Sequence, residues 1–352
     1  MERSRPLLSF DNDDIGSDSV RSHEKKKSAA AKKNGTIASS VFNLTNTILG
    51  SGTLAVAYTC KEGGYVSFVI IMAIMALMSH YAVVLIFETV ELSKFKPGDT
   101  VTYGLLGKKL YGRTGELVAE WAVTLQQLGA CVGYVVIIGD VLWPITGLAT
   151  QVFAEWEWLT QLLVVMLIIF PICLLRNMDA LKFTSLIAII CILLTALVLA
   201  VYGFDNNLNG GRYDVNVTDG ECGTPHMFKA NLSILSALPV FSFAFLCHQN
   251  TFPIYEELQD ASIKRMSIIS GLSMILAMCT YVLAGVGGYL AFADGTLDDI
   301  LLNFNVSPGL SPTSTGHTGL DNGCLARGVM SFIADVVRVG FGIALIFSYV
   351  YQ

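Results

Sequence analysis

The feature that most limits the fold of this chain is a series of eight apolar segments, each long enough to cross a lipid bilayer. They are Thr36–Tyr58, Gly64–Val90, Leu117–Leu142, Trp158–Leu175, Phe183–Tyr202, Ile234–Ile254, Ile268–Phe292 and Val329–Tyr351. With 53% hydrophobic and only 14% charged residues, the chain is too apolar for a soluble fold of 352 residues. Because a helix satisfies its own backbone hydrogen bonds in lipid, we predict an all-α polytopic membrane protein.

The positions of lysine and arginine predict how the spans are oriented. With the amino terminus in the cytosol, seventeen of these residues lie on the cytosolic side and four on the other, and Arg338 lies within a span. This positive-inside bias predicts a cytosolic amino terminus. Residues 1–35 form the first predicted unit, a disordered cytosolic tail. Its lysine runs suit anionic inner-leaflet lipids, so we expect the lipid bilayer, and not nucleic acid, as a partner.

The predicted outer loops carry a glycosylation signal and a pair of cysteines. Among the sequons, Asn216-Val217-Thr218 is the best candidate for a glycan. Cys222 and Cys324 lie in the long outer loops, whereas the other cysteines lie in spans or at a helix mouth. We interpret the pair as a disulfide formed in an oxidising compartment, and the alternative is two free thiols. The predicted location is the plasma membrane, with the lysosomal membrane as the alternative.

A helix-breaking run, Gly50-Ser51-Gly52, interrupts the first span. Glycine costs about 1 kcal/mol in a helix interior. Unwound backbone in a bilayer persists only where protein or a water-filled cavity satisfies it. A break here therefore predicts a site in which backbone groups and half-helix dipoles hold an anionic group and a cation. The alternative is close helix packing through small residues.

The sixth span is irregular as well. It contains Pro239, Pro253 and the polar run 247–250, which is costly at membrane depth unless it faces a cavity or another helix. Interruptions at corresponding places in two halves of a chain indicate a transporter built as an inverted repeat of five helices plus five. Three spans follow the fifth here, so we expect the first repeat and three helices of the second.

Two stretches of the chain carry a resemblance to a known family. Residues 42–54 and 243–259 resemble the first-span and sixth-span signatures of the sodium-coupled neutral amino acid transporters, within the amino acid/auxin permease superfamily. Span three adds Gln126, Gln127 and Tyr134 in a similar pattern. The resemblance extends from about Ala38 to the end of the chain. It implies a LeuT-like inverted-repeat fold and the movement of neutral amino acids together with Na⁺.

The resemblance also implies roles for particular residues. The substrate-site residues that it implies are Gly50, Ser51, Gly52, Cys247 and His248. Asn46 and Ser348 match the family's sodium positions, and their neutral oxygen atoms suit Na⁺ as a coupling ion. The alternatives are that Asn46 bonds a neighbouring helix and that Ser348 bonds within its own helix.

We interpret residues 36–352 as a transmembrane transporter domain that is incomplete at its carboxyl end. The histidines and cysteines have no spacing that suits a metal site, and the sequence contains no nucleophile elbow. We therefore predict neither an enzyme nor a cofactor beyond the coupling ion. The implied function is sodium-coupled symport of neutral amino acids. The alternative is a non-transporting protein that acts as a regulatory partner of the full-length carrier or as an amino acid sensor.

Overall fold

A computed structural model of the chain describes residues 35–50, 52–95, 101–147, 162–163, 165–170, 178–208, 224–229 and 231–304. The regular secondary structure of these ranges is helical, and within them there is no β-strand but one isolated parallel bridge between Gly35 and Leu258. The prediction of an all-helical protein is therefore confirmed for the described part of the chain.

Eight α-helices follow one another through the described ranges. They are α1 (Ile37–Ile48), α2 (Gly52–Gly63), α3 (Tyr65–Leu92), α4 (Tyr103–Gly147), α5 (Met178–Leu208), α6 (Ile234–Ala244), α7 (Thr251–Glu257) and α8 (Ile263–Phe292). A π-helical turn covers Val165–Ile169, and 3₁₀ turns cover His248–Asn250, Ala293–Gly295 and Ile300–Phe304. Helix α4 changes direction at Gly112, whose φ of 67° favours glycine.

Three of the described helical stretches are long and apolar enough to cross a membrane: Tyr65–Leu92, Tyr103–Ile138 and Ile263–Gly295. They overlap the predicted second, third and seventh spans, and a shorter apolar stretch, Ile189–Asp205, overlaps the predicted fifth span, Phe183–Tyr202. The predicted first and sixth spans are each divided into two shorter helices. The fourth predicted span is described only at residues 162–163 and 165–170, and the eighth lies outside the described residues.

Helix α8 is the centre of the packing. It contacts α1, α2, α3 and α5, and α1 also packs against α5. Small residues bring α5 and α8 close together, because a β-carbon on Gly203 would lie 1.9 Å from the carbonyl oxygen of Gly287. Both halves of the divided first span therefore pack against α8, with α1 also against α5 and α2 also against α3 and α6.

The start of α1 is joined to the end of α7. Thr36 and Ser39 form a capping box, in which each side chain accepts a hydrogen bond from the other's backbone N–H. The Gly35 N–H donates to the Glu257 carbonyl at 3.0 Å, and the Gln259 N–H donates to the Gly35 carbonyl at 3.0 Å. The two divided spans are therefore held together at this end.

Candidate functional site

The first break is a short unwound stretch between α1 and α2. The Leu49 N–H still donates to the Thr45 carbonyl at 2.8 Å, which completes α1. The Thr53 N–H donates to the Gly50 carbonyl at 3.3 Å, and the Thr53 hydroxyl donates to the Leu49 carbonyl at 3.2 Å. Gly50 and Gly52 lie on either side of the break, as the glycine pair predicts.

The second break separates α6 from α7 over residues 245–250. Helix α6 ends at Ala244, and a 3₁₀ turn at His248–Asn250 leads into α7. Pro239 lies inside α6, and Pro253 lies in the first turn of α7. Proline is tolerated in a first turn because the N–H groups there have no acceptor within the helix, so the N–H that proline lacks is not missed. The polar run 247–250 therefore lies in non-α backbone between two short helices.

A tyrosine of α8 contacts both breaks. The Tyr281 hydroxyl lies 2.5 Å from the Ile48 carbonyl oxygen and 2.9 Å from the Ala244 carbonyl oxygen. Ile48 is the last residue of α1 and Ala244 is the last residue of α6, so both carbonyls lack a partner within their own helix. A phenol has a single O–H donor, which these two acceptors share.

Other hydroxyl groups satisfy further carbonyls of the second break. Ser79 of α3 donates to the Phe245 carbonyl at 2.8 Å. The His248 carbonyl accepts from Tyr103 of α4 at 2.6 Å and from Thr251 of α7 at 2.7 Å. Since unsatisfied backbone groups are costly in a membrane interior, these bonds stabilise the irregular backbone of the second break.

Side chains also link the two breaks directly. The Asn250 amide donates to the Thr47 hydroxyl at 3.0 Å, and the Thr47 hydroxyl donates to the Asn43 carbonyl at 3.1 Å. Thr47 is buried on α1 and Asn250 is buried at the end of the second break. This bond fixes the last turn of α1 beside the start of α7.

A small cavity lies between the breaks and α4. Its lining residues are Thr47, Ile48, Gly50, Gly52, Gln126, Ala130, Tyr134, Phe243, Leu246 and Gln249. The space holds about one water molecule in this conformation. Within the described residues, Nε2 of Gln126 and Oε1 of Gln249 are buried and have no hydrogen-bond partner. The cavity therefore offers amide groups to a ligand.

The two glycines of the first break allow close approach of other groups. A β-carbon on Gly50 would lie 1.9 Å from the Tyr134 hydroxyl oxygen. A β-carbon on Gly52 would lie 3.2 Å from the Tyr281 hydroxyl oxygen and 3.3 Å from Cα of Ala244. Larger side chains at these positions would fill the space between the breaks.

The structure brings some of the predicted site residues to this cavity. Gly50 and Gly52 line it, whereas Cys247 and His248 do not, although their neighbours Leu246 and Gln249 do. Cys247 is fully buried, and His248 contributes its backbone carbonyl to the hydroxyl contacts of the break. The substrate-binding roles of these residues remain predictions.

The predicted sodium, disulfide and glycan residues fall mostly outside the described chain. Asn46 is fully buried on α1, next to Thr47. The predicted residues that lie outside the described ranges are Ser51, Cys222, Cys324, Asn216 and Ser348. Their roles stay predictions.

Sequence reasoning missed the residues that satisfy the broken backbone. Ser79, Tyr103 and Tyr281 lie on three different helices, and nothing in their local sequence distinguishes them from ordinary packed residues. Gln126 and Tyr134 had a signal, because they belong to the span-three pattern of the resemblance. For Gln249, the available signal was its place within the polar run.

A strap formed by residues 224–229 covers the loop between α2 and α3. The Tyr65 N–H donates to the His226 carbonyl at 3.2 Å, and the Lys229 N–H donates to the Gly63 carbonyl at 3.0 Å. The Lys229 ammonium group pairs with the Asp294 carboxylate beyond the end of α8. Burial lowers the pKa of Lys229, but its hydrogen bond and attraction to Asp294 outweigh this and raise the pKa above its ordinary value. The strap is thus tied to the end of α8 by a charged pair.

The amino-acid sequence of this chain matches that of known proteins. A family model described as "Transmembrane amino acid transporter protein" matches residues 33–350. The sodium-coupled neutral amino acid symporter 2 of Danio rerio is 33% identical over 285 residues, which cover 76% of this chain and 55% of the relative. The chain therefore spans about half the length of this curated relative.

Proposed function

This chain belongs to the transmembrane amino acid transporter protein family, and from that premise we propose that it acts in sodium-coupled symport of a neutral amino acid across a membrane. One observation carries the proposal. Two helix breaks face the same cavity, and hydroxyl groups from α3, α4, α7 and α8 satisfy their carbonyls. Backbone that is unwound and yet hydrogen-bonded at membrane depth is typical of a transporter's binding site.

A zwitterionic amino acid suits the groups that meet at this cavity. The first N–H groups of α2 lack intrahelical partners, and the positive end of the helix dipole favours a carboxylate beside Gly50, Ser51 and Gly52. The carboxyl ends of α1 and α6 favour the ammonium group, since their dipoles are negative there. The amides of Gln126 and Gln249 supply further donors and acceptors. A neutral side chain is expected because the described lining contains no ionisable carboxyl, amine or guanidinium group.

Substrate entry requires the cavity to enlarge, because it now holds about one water molecule. Tyr134 lies against Gly50 and narrows the space from the α4 side. Movement of α4 or of the short helices at either break is therefore part of the proposed cycle. Cys247 and His248, whose backbone forms the second break, are proposed to contribute to the substrate site through that movement.

The proposed coupling ion is Na⁺, held in part by Asn46 and Ser348. Asn46 carries a neutral amide oxygen and is fully buried on α1, and the next residue, Thr47, is also buried. Hard, uncharged oxygen donors of this kind fit Na⁺. Binding of the ion near the break would favour the conformation in which the carboxylate site is formed.

The remaining predictions are proposals about the whole protein. We propose a LeuT-like inverted repeat in the domain 36–352, with residues 1–35 as a cytosolic tail. The plasma membrane is the proposed location, with a glycan at Asn216 and a disulfide between Cys222 and Cys324. The charge distribution along the sequence supports this orientation.

Uptake by the purified chain in lipid vesicles tests the proposed function. Vesicles with an inward Na⁺ gradient receive one radiolabelled amino acid at a time, from a panel of neutral amino acids with lysine and glutamate as controls. We expect saturable uptake of at least one neutral amino acid, and loss of that uptake when choline replaces Na⁺. Binding of a neutral amino acid without uptake would instead favour the amino acid sensor. If the chain neither bound nor transported any neutral amino acid, the proposed substrate site would be refuted.

A further inference from the structure

The contacts of Tyr281 give it a role beyond packing. We propose that Tyr281 is a positioning residue for the substrate site, whose hydroxyl holds the first and second helix breaks against each other. The site forms only while this hydroxyl bridges the two. The expected effect on transport rests on the proposed function, whereas the expected effect on labelling of a buried cysteine does not.

The bridge joins two helix ends that are far apart in the sequence. The Tyr281 hydroxyl contacts the Ile48 carbonyl at 2.5 Å and the Ala244 carbonyl at 2.9 Å. Both are terminal carbonyls, which need a donor from outside their own helix. A single buried hydroxyl at this point makes the position of one helix end depend on the position of the other.

The ring of Tyr281 is fixed by the same two breaks. It is fully buried, and it packs edge-on against Phe245 with ring centroids 5.5 Å apart and an interplanar angle of 85°. A β-carbon on Gly52 would lie 3.2 Å from its hydroxyl oxygen. Residues of both breaks therefore pack against Tyr281 and hold its hydroxyl in place.

The position of Tyr281 on α8 connects the site to the rest of the helices. Helix α8 contacts α1, α2, α3 and α5, so it packs against both short helices of the first break. Loss of the hydroxyl leaves the carbonyls of Ile48 and Ala244 without this donor in a buried place. The breaks must then separate or admit water to restore hydrogen bonds.

The variant Tyr281→Phe removes the bridging hydroxyl and keeps the ring. Its matched control is Thr280→Val, since among the described residues the neighbouring Thr280 hydroxyl bonds within its own helix, to the Leu276 carbonyl at 2.9 Å. We expect Tyr281→Phe to raise the KM for the amino acid by about fivefold or more, the scale of an unsatisfied buried acceptor. Turnover per copy in the membrane should change less than KM, and Thr280→Val should leave KM unchanged.

A labelling experiment tests the bridge without requiring transport. Cys247 lies inside the second break and Cys60 lies on α2, and both are fully buried. The full chain in vesicles is treated with N-ethylmaleimide, and peptide mass spectrometry follows each cysteine separately. We expect Tyr281→Phe to speed labelling of Cys247 about fivefold or more and to leave Cys60 unchanged, because the second break opens locally.

The outcomes distinguish the positioning role of Tyr281 from the proposed transport function. Faster labelling of Cys247 alone, together with a raised KM, supports Tyr281 as a positioning residue. Equal labelling of Cys247 in Tyr281→Phe and Thr280→Val overturns that role, as does an equal rise at Cys247 and Cys60, which indicates general loosening. If the parent chain transports nothing while labelling of Cys247 still responds selectively, the proposed function fails and the positioning role of Tyr281 remains supported.

Discussion

Adding one methyl group to the first break should impair the site strongly. In Gly50→Ala the new β-carbon would lie 1.9 Å from the Tyr134 hydroxyl oxygen and 2.9 Å from the ring carbon Cζ. Ordinary contact begins at 3.4 Å, so the hydroxyl must move by about 1.5 Å. Tyr134 is only 2% exposed, which leaves its ring little room to move.

The expected size of the effect follows from this overlap. Overpacking of a buried site costs roughly 1–3 kcal/mol. Since each 1.4 kcal/mol changes a rate or binding constant about tenfold, kcat/KM for uptake should fall by about fivefold to more than a hundredfold. The assay is sodium-dependent uptake in vesicles, normalised to the amount of protein inserted.

Two further variants make this prediction specific. Gly133→Ala is the matched control, because it adds the same methyl group next to Tyr134 in the sequence, at a place where no described heavy atom from outside the local helix backbone and the two chain neighbours lies within 4 Å. It should leave uptake close to that of the parent. Tyr134→Phe removes the atom nearest to the new methyl group, so it should recover part of the activity lost in Gly50→Ala. Normal uptake by Gly50→Ala, or equal damage from Gly133→Ala, would refute the close approach of Tyr134 to the break.

The other predictions concern the carboxylate site, the ion and the outer loops. Gly52→Leu should abolish uptake while the protein still reaches the membrane, because a branched side chain favours continuous helix and fills the space between the breaks; normal kinetics would contradict the carboxylate site. Asn46→Ala should raise the Na⁺ concentration for half-maximal uptake more than it alters discrimination among amino acids, and an unchanged Na⁺ dependence would indicate a packing role. Glycosidase should shift the mobility of the protein, and Asn216→Gln should remove at least part of that shift. Cys222 and Cys324 should react with an impermeant maleimide only after reduction, so labelling before reduction would exclude their disulfide.

The helical framework was largely predictable because hydropathy reports contact with lipid. The predicted spans Gly64–Val90 and Ile268–Phe292 lie close to α3, Tyr65–Leu92, and α8, Ile263–Phe292. The start of α4 was not predicted, because its helix begins at Tyr103, well before the apolar part at Leu117. A hydropathy pattern finds the apolar part of a helix and not its polar extension.

The positions of the breaks were also predictable from local chemistry. Glycine in the first span and a polar run between prolines in the sixth both oppose a continuous helix, and the structure divides α1 from α2 and α6 from α7 there. Local sequence cannot show which distant group satisfies a freed carbonyl. The contact of Tyr281 with Ile48 depends on how α8 packs, and that is a property of the whole fold.

Side-chain directions within the second break were the least predictable. The resemblance suggested Cys247 and His248 for the substrate site, whereas Leu246 and Gln249 line the cavity in this conformation. In a regular helix the direction of each side chain follows from its spacing, but residues 245–250 do not follow one helical period. Their directions depend on backbone angles set by the hydroxyl contacts of Ser79 and Tyr103.

Coupling between Na⁺ and amino acid is the central claim, and accumulation against a gradient tests it most directly. Vesicles containing the chain are loaded with the transported neutral amino acid at the same concentration inside and outside, and an inward Na⁺ gradient is then imposed. The account predicts net accumulation inside that disappears when an ionophore dissipates the Na⁺ gradient. Tracer that exchanges without net accumulation, at any size of the gradient, would contradict symport by this chain.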